Sequence, residues 1–140
     1  MRNVCAYHIF NGGYCVDKNL KMTKYKASFH ILRVGLAITF LWIGVLILKE
    51  PKLWGGYIQP WAQNLLVLPL EKAMIFTAIL DIVVGVLLLV DFLTFYASIL
   101  AAFHLIIVLV VSGINAITIR DIGLLAAAIS LVVSTFNSNK

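Results

Sequence analysis

Charge is scarce in this sequence. Of its 140 residues, 12% are Asp, Glu, Lys or Arg, about half the ~25% of an average soluble domain. Apolar residues make up 62%, and the mean hydropathy is +1.01. A soluble globule this small could not cover so much apolar side chain, because its surface is large for its volume. The same balance excludes a disordered chain, which needs much charge and little hydrophobicity. Cysteine is nearly absent. Cys5 and Cys15, with His8 between them, fall short of the four ligands of a structural metal site. A cytosolic location keeps such thiols reduced. No GxxxxGK[ST], GxGxxG or HExxH pattern occurs. No Cys/His set suits zinc or iron–sulfur, so no metal is expected. One intramembrane His cannot supply bis-His haem ligation, and no Ser/His/Asp triad assembles. Strict alternation of apolar and polar residues is missing from the apolar blocks, which excludes β-barrel strands.

Long apolar runs are what the chain has instead. A helical span needs roughly 20 apolar residues. Residues 29–48 supply one, closed by Lys49-Glu50-Pro51, a charge pair and a helix breaker. The next apolar block, Ala73 to Ile119, holds 47 residues. As one helix it would extend about 70 Å, over twice the bilayer core, so it must fold back. The turn is placed at Asp91-Phe92-Leu93-Thr94, although no Gly or Pro marks it. Spans of about 73–90 and 94–113 result, then a polar patch from Asn115 to Asp121, and a fourth span of about 122–136. The expected fold is all-α, a polytopic membrane protein built as a four-transmembrane-helix bundle. Residues 1–28 form a basic leader, 29–136 the membrane domain and 137–140 a polar tail.

Lys/Arg placement sets orientation. Arg2, Lys18, Lys21, Lys24, Lys26, Arg33 and Lys140 fall on one side, against Lys49, Lys52, Lys72 and Arg120 on the other. This predicts a multi-pass protein of the cell (plasma) membrane with both termini cytoplasmic. The leader has no apolar stretch with a cleavage site, so it is not a signal peptide. Met22 opens MTKYKASFH directly before span one and is read as an alternative start, which would make residues 1–21 non-native. The basic leader serves topology, and no nucleic-acid partner is expected.

Helices in lipid associate through small residues and interhelical hydrogen bonds. Helical spacing gives each span one such face. The faces are Arg33, Ala37, Phe40 and Gly44; Thr77, Asp81 and Gly85; Ala97, Ala101, His104 and Ser112; and Gly123, Ala127, Ser130 and Ser134. Asp81 and His104 both lie about 14–15 Å deep, near the midplane, and Arg33 about 6 Å deep. An unpaired charge at mid-membrane costs ~2.5–3.5 kcal/mol on the mildest scale. Asp81 therefore needs a partner or a proton. His104 is the expected partner and Arg33 the second. Two readings of this candidate intramembrane polar site stay open. One is a proton relay or quinone-contacting site, since imidazole titrates near neutrality. The other is a hydrogen-bonded pair that fixes helix packing.

The outer loop, residues 49–72, carries Trp54, Tyr57 and Trp61, rings that favour the headgroup region. Gly55-Gly56 and Pro60 prevent a regular helix through its middle. It is read as an interfacial loop, or alternatively as a lid over an outward-opening cavity or a docking surface. Lys49, Glu50, Glu71, Lys72, Arg120 and Asp121 share that side and could form an ion-pair network stapling the helix ends. Asp121 is also expected to cap span four.

LRVGLAITFLWIGVLILKEPKLWGGYIQPW (32–61) is similar to the first span and outer loop of DoxX-like membrane proteins. AILDIVVGVLLLV (78–90) resembles their second span, and RDIGLLAAAISL (120–131) their fourth. The resemblance implies a four-helix membrane fold. It also implies, for some members, a role in sulfur oxidation as subunits of quinone-reducing thiosulfate oxidoreductases, and for others membership of redox-stress complexes. The chain departs from the pattern where members often carry Asp-Lys after the span-one Gly, here Leu46 and Ile47. It departs again where a basic residue follows the second turn, here Phe95. The implied function is an accessory membrane subunit of a quinone-linked redox system, with quinone as ligand and other membrane subunits or self-association as partners besides the lipid bilayer. The isolated chain is not expected to be an enzyme. Alternatives are a non-catalytic structural subunit of a larger membrane complex and, least favoured, a small-solute transporter, since broken-helix pairs are absent.

Overall fold

The computed structural model describes residues 18–138; the expectations for Cys5, His8, Cys15 and the first part of the leader fall outside them. Among the described residues the chain forms six helices and no strand. They are α1 (Lys18–Lys49), α2 (Pro51–Gly55), α3 (Pro60–Leu65), α4 (Leu70–Val90), α5 (Thr94–Ser112) and α6 (Ala116–Ser138). Stretches of α1 (Lys24–Lys49), α4, α5 and α6 (Ala116–Phe136) are each long and apolar enough to cross a membrane. Helix is the form a spanning segment must take, because hydrocarbon offers no partners to free N–H and C=O groups. Residues 18–28 are not separate from span one. No Gly or Pro interrupts them, and they continue α1 without a break.

Successive helices run antiparallel, which gives the bundle two ends. The loop end holds α2, α3 and the α5–α6 turn; the tail end holds the start of α1 and the α4–α5 turn. α1 packs most extensively on α4 and α5 on α6, with lighter contact between these pairs. The α1–α4 seam rests on two glycines. A methyl group added at Gly44 would stand 2.9 Å from the Ala78 carbonyl oxygen and 2.7 Å from Ile82 Cγ1. One added at Gly85 would stand 3.0 Å from the Ala37 carbonyl oxygen and 2.7 Å from Leu41 Cγ. Backbone meets backbone there, as small-residue faces allow in lipid.

The faces expected for spans one to three turn inward: Arg33, Ala37, Phe40 and Gly44 are all buried, as are Asp81, Gly85, Ala97 and Ala101. Span four differs. Gly123 and Ser130 are exposed, and the buried stripe of α6 is Thr118, Asp121, Ala128 and Leu131. Leucine and alanine fill the interior here, while the small polar residues lie on the outside. The tail-end half of the bundle is a continuous apolar core of Leu36, Ala37, Phe40, Val84, Leu88, Ala101, Leu105 and Leu131.

Both interhelical turns of the spanning domain are closed by local chemistry. Asp91 ends α4 in the left-handed region (φ 61°), a conformation that Asp tolerates. Its N–H and that of Phe92 bond back to the Leu87 carbonyl. Leu93 follows at φ 52°, which costs a branched residue on the order of 1–3 kcal/mol. At the other turn Gly113 adopts φ 66° and Asn115 caps α6. Asn115 Oδ1 accepts from the Ile117 and Thr118 N–H groups at 2.9 and 3.0 Å, and Thr118 Oγ1 accepts from the Asn115 N–H at 2.8 Å. This reciprocal cap starts the helix at Ala116, so Asp121 is not a capping residue but lies in the second turn.

Gly44→Ala or Gly85→Ala is expected to push α1 off α4 and cost about 1–3 kcal/mol. Gly35→Ala, with nothing within 4 Å of the new methyl group, should be neutral or stabilising. Unfolding by a denaturing detergent, followed in lipid bicelles, compares the three.

Candidate functional site

Asp81 comes from the buried face of α4 and His104 from α5. Their side chains meet across the bundle, His104 Nε2 to Asp81 Oδ1, at 3.0 Å. Both are withdrawn from the surface, with side-chain exposures of 5% and 11%. The bond joins α4 to α5 where contact between the helix pairs is light. An unsatisfied carboxylate at that depth would be costly, and the imidazole supplies its partner.

Arg33 does not join them. Its Nη1 donates to Asp91 Oδ1 at 2.8 Å and to the Leu88 carbonyl at 2.9 Å, tying α1 to the end of α4. His30 Nδ1 lies 3.5 Å from Nη2, and Nε is buried without a hydrogen-bond partner. Thr94 Oγ1 donates to Asp91 Oδ1 at 2.7 Å, which draws the start of α5 into the same cluster. Helical position explains the choice. Arg33 and Asp91 lie near the tail end, while Asp81 and His104 lie in mid-bundle.

The loop end is less tightly stapled than its charges suggested. Among the described residues Lys49, Glu50, Glu71 and Lys72 form no ion pair, and Arg120 Nε reaches only its neighbour, Asp121 Oδ1, at 3.8 Å. Solvated surface charges gain little by pairing. Hydrogen bonds from Gln59 hold the loop instead. Its backbone N–H donates to the Val111 carbonyl at 3.0 Å and its Nε2 to the Ser112 carbonyl at 3.3 Å. The Gln59 amide packs on Gly113, where a Cβ would come within 2.8 Å of Nε2. Trp54 packs on Ile47, Met74 and Ala78, with Tyr57 6.2 Å away by ring centroid, while Trp61 is exposed.

Between the helix pairs, in the loop-end half, lies a cavity of about 350 Å³. Its walls are mostly apolar, with Phe40, Ile47, Trp54, Leu105 and Val108 among them. Asp81, His104 and Asp121 also line it, with Tyr57 and Thr118. Its volume is at the lower end of the ~300–1,000 Å³ usual for small-molecule sites, and the lining matches their pattern of apolar walls with a few polar groups. Among the described residues no cluster of three His, Cys, Asp or Glu could hold a metal ion.

Two placements go beyond the sequence expectations. Asp91, expected only as a turn residue, is the partner of Arg33, because the long guanidinium side chain reaches down to the turn. Asp121, expected to cap span four, is buried; the signal for it is that Thr118, Asp121, Ala128 and Leu131 share one helical face.

A polytopic four-helix membrane protein with a polar pair held beside an apolar cavity is thus defined. The sequence model of the DoxX family matches residues 28–114, more than half of the chain, and the protein belongs to that family. The match takes in α2 to α5 and most of α1, and ends before α6. No curated protein and no solved structure matches the chain.

Removing one member of the tail-end pair should be asymmetric. Asp91→Ala leaves a guanidinium with 8% exposure and no carboxylate, whereas Arg33→Met leaves a carboxylate with 50% exposure that water can solvate. Asp91→Ala is expected to cost about 1–3 kcal/mol and to exceed Arg33→Met. Thermal unfolding in detergent micelles measures both.

Proposed function

We propose that this DoxX-family protein is an accessory membrane subunit of a quinone-linked redox system, with the loop-end cavity as its quinone site. The observation that carries the reading is the Asp81–His104 hydrogen bond standing in the wall of an otherwise apolar cavity. The residues present fit a quinone ring: flat apolar and aromatic walls, and an imidazole beside a carboxylate within reach of the same space. Quinone, when bound, would accept two electrons and two protons and leave as quinol. The electrons would come from a partner subunit.

The chain's own contribution is positional and protonic. Asp81 Oδ1 holds the Nε2 side of His104 and fixes the orientation of the ring. A proton on the pair has a home on either side chain, since the two share one hydrogen bond. Phe40, Leu105 and Val108 keep bulk water from the pair, and Trp54 and Tyr57 cover the cavity towards the headgroup region. Both termini are assigned to the cytoplasm on the Lys/Arg balance, which places the cavity on the outer side.

A second reading is a non-catalytic scaffold. Its support is Ile47, buried in the cavity wall at a position where the resemblance leads one to expect a charge. On that reading the Asp81–His104 bond serves only to join the helix pairs.

Trp54 provides the test, because it lines the cavity while Trp42 and Trp61 do not. In a W42F/W61F background, a short-chain benzoquinone is expected to quench Trp54 fluorescence saturably. His104→Ala should weaken that binding about tenfold, or about 1.4 kcal/mol. Quenching that rises in simple proportion to membrane quinone, alike in both proteins, would favour the scaffold.

A further inference from the structure

We infer that Asp121 is the proton-exchange group of this site, linking the Asp81–His104 pair to the loop end of the bundle and to that end alone. The inference rests on reading Asp81 and His104 as a proton-carrying pair, and not on quinone as the ligand.

Three observations lead to it. First, Asp121 is on the buried stripe of α6, with 7% side-chain exposure, and it lines the same cavity as Asp81 and His104. Among the described residues nothing donates a hydrogen bond to its carboxylate, and its single ion-pair neighbour, Arg120, is 3.8 Å away and half exposed. A buried carboxylate so poorly satisfied needs another reason to be there. Second, its position along its helix is intermediate. Asp121 is five residues into α6, His104 eight residues from the loop end of α5, and Asp81 eleven residues from the loop end of α4. By helical rise these are about 8, 12 and 16 Å below the loop end. Asp121 thus stands nearer the loop end than the hydrogen-bonded Asp81–His104 pair. The cavity that joins them has room for several waters, each needing about 10–15 Å³.

Third, the tail-end half offers no continuation. Below the pair lies the apolar core of Leu36, Val84, Leu88, Ala101 and Leu131. The buried hydroxyls beneath it are committed locally, Ser98 Oγ to the Thr94 carbonyl and Thr94 Oγ1 to Asp91, and Arg33 closes that end on Asp91. The titratable and charged groups sharing the cavity with Asp121 are Asp81 from α4, His104 from α5, Tyr57 from the loop and Arg120 from α6 itself; α1 contributes only apolar side chains. A proton from the loop-end solvent would rest on the Asp121 carboxylate and pass to His104 or Asp81, leaving Asp121 charged again.

The test is sided carboxyl labelling. The full chain, with a tag on its C-terminus, is reconstituted into vesicles. Vesicles captured through the tag present the tail end outward and the loop end to the lumen. Lumenal and external pH are set independently, and dicyclohexylcarbodiimide, which reacts with protonated carboxyls, is added for short intervals. Mass spectrometry then reads Asp121 and Asp81. Labelling of both is expected to rise as lumenal pH falls and to ignore external pH. In Asp121→Asn the response of Asp81 to a lumenal pH jump should slow at least about tenfold, and Asp121→Glu should restore it. Labelling that follows external pH, or that ignores lumenal pH, overturns the inference, as does an unaltered Asp81 response in Asp121→Asn. The wild-type comparison needs no variant, so a poorly folding substitution leaves the result decisive. Sided labelling in a protein that fails the Trp54 quenching test would retain this assignment and remove the quinone reading.

Discussion

Hydrocarbon gives a polar side chain nothing to bond to, so a carboxylate, imidazole or guanidinium deep in the spans is costly unless the protein itself supplies a partner. That constraint organises this bundle at two depths. Near the tail end Arg33 pairs with Asp91 and draws Thr94 in with them. In mid-bundle His104 pairs with Asp81. The Asp81–His104 pair joins α4 to α5, which the apolar packing leaves only lightly connected, while Arg33 and Asp91 fasten the end of the closely packed α1–α4 pair. α1 is tied to the α4–α5 turn and α4 to α5, so the bundle's polar groups also determine how its two helix pairs are held together.

The packing itself is uneven, and the unevenness makes the site. Gly44 and Gly85 let α1 and α4 approach until their backbones touch. The α5–α6 pair meets them fully in the tail-end half, where leucine, alanine and valine interdigitate. In the loop-end half a cavity lies between the pairs, and the loop is fastened to the end of α5 through the hydrogen bonds of Gln59. A dry, closed half and an open half with polar groups at its floor are two consequences of one arrangement of small and large side chains.

The start of α6 shows how a short-range motif can decide a long-range placement. Asn115 and Thr118 satisfy each other's groups and set the first helical residue at Ala116. Counting from there, Thr118, Asp121, Ala128 and Leu131 fall on the interior face. Had the helix started at Asp121, that carboxylate would have served its terminus in solvent. The cap moves it into the cavity instead, beside groups with which it shares no sequence neighbourhood.

Composition and run length were enough to establish an all-α membrane protein of four spans, because a chain this apolar has no other way to shield its surface or satisfy its backbone. Depth counting along the spans was enough to bring Asp81 and His104 to one level, since helical rise is constant. Other features were settled only by the folded chain. Arg33 chose Asp91 because guanidinium reach, helix register and the αL turn had to coincide in three dimensions. The loop-end charges stayed apart because water solvates them as well as a partner does. The buried face of α6 was filled by Ala128 and Leu131, and not by Gly123 and Ser130, because interior volume selects side chains by fit with the opposing helices, which no single helix's sequence contains.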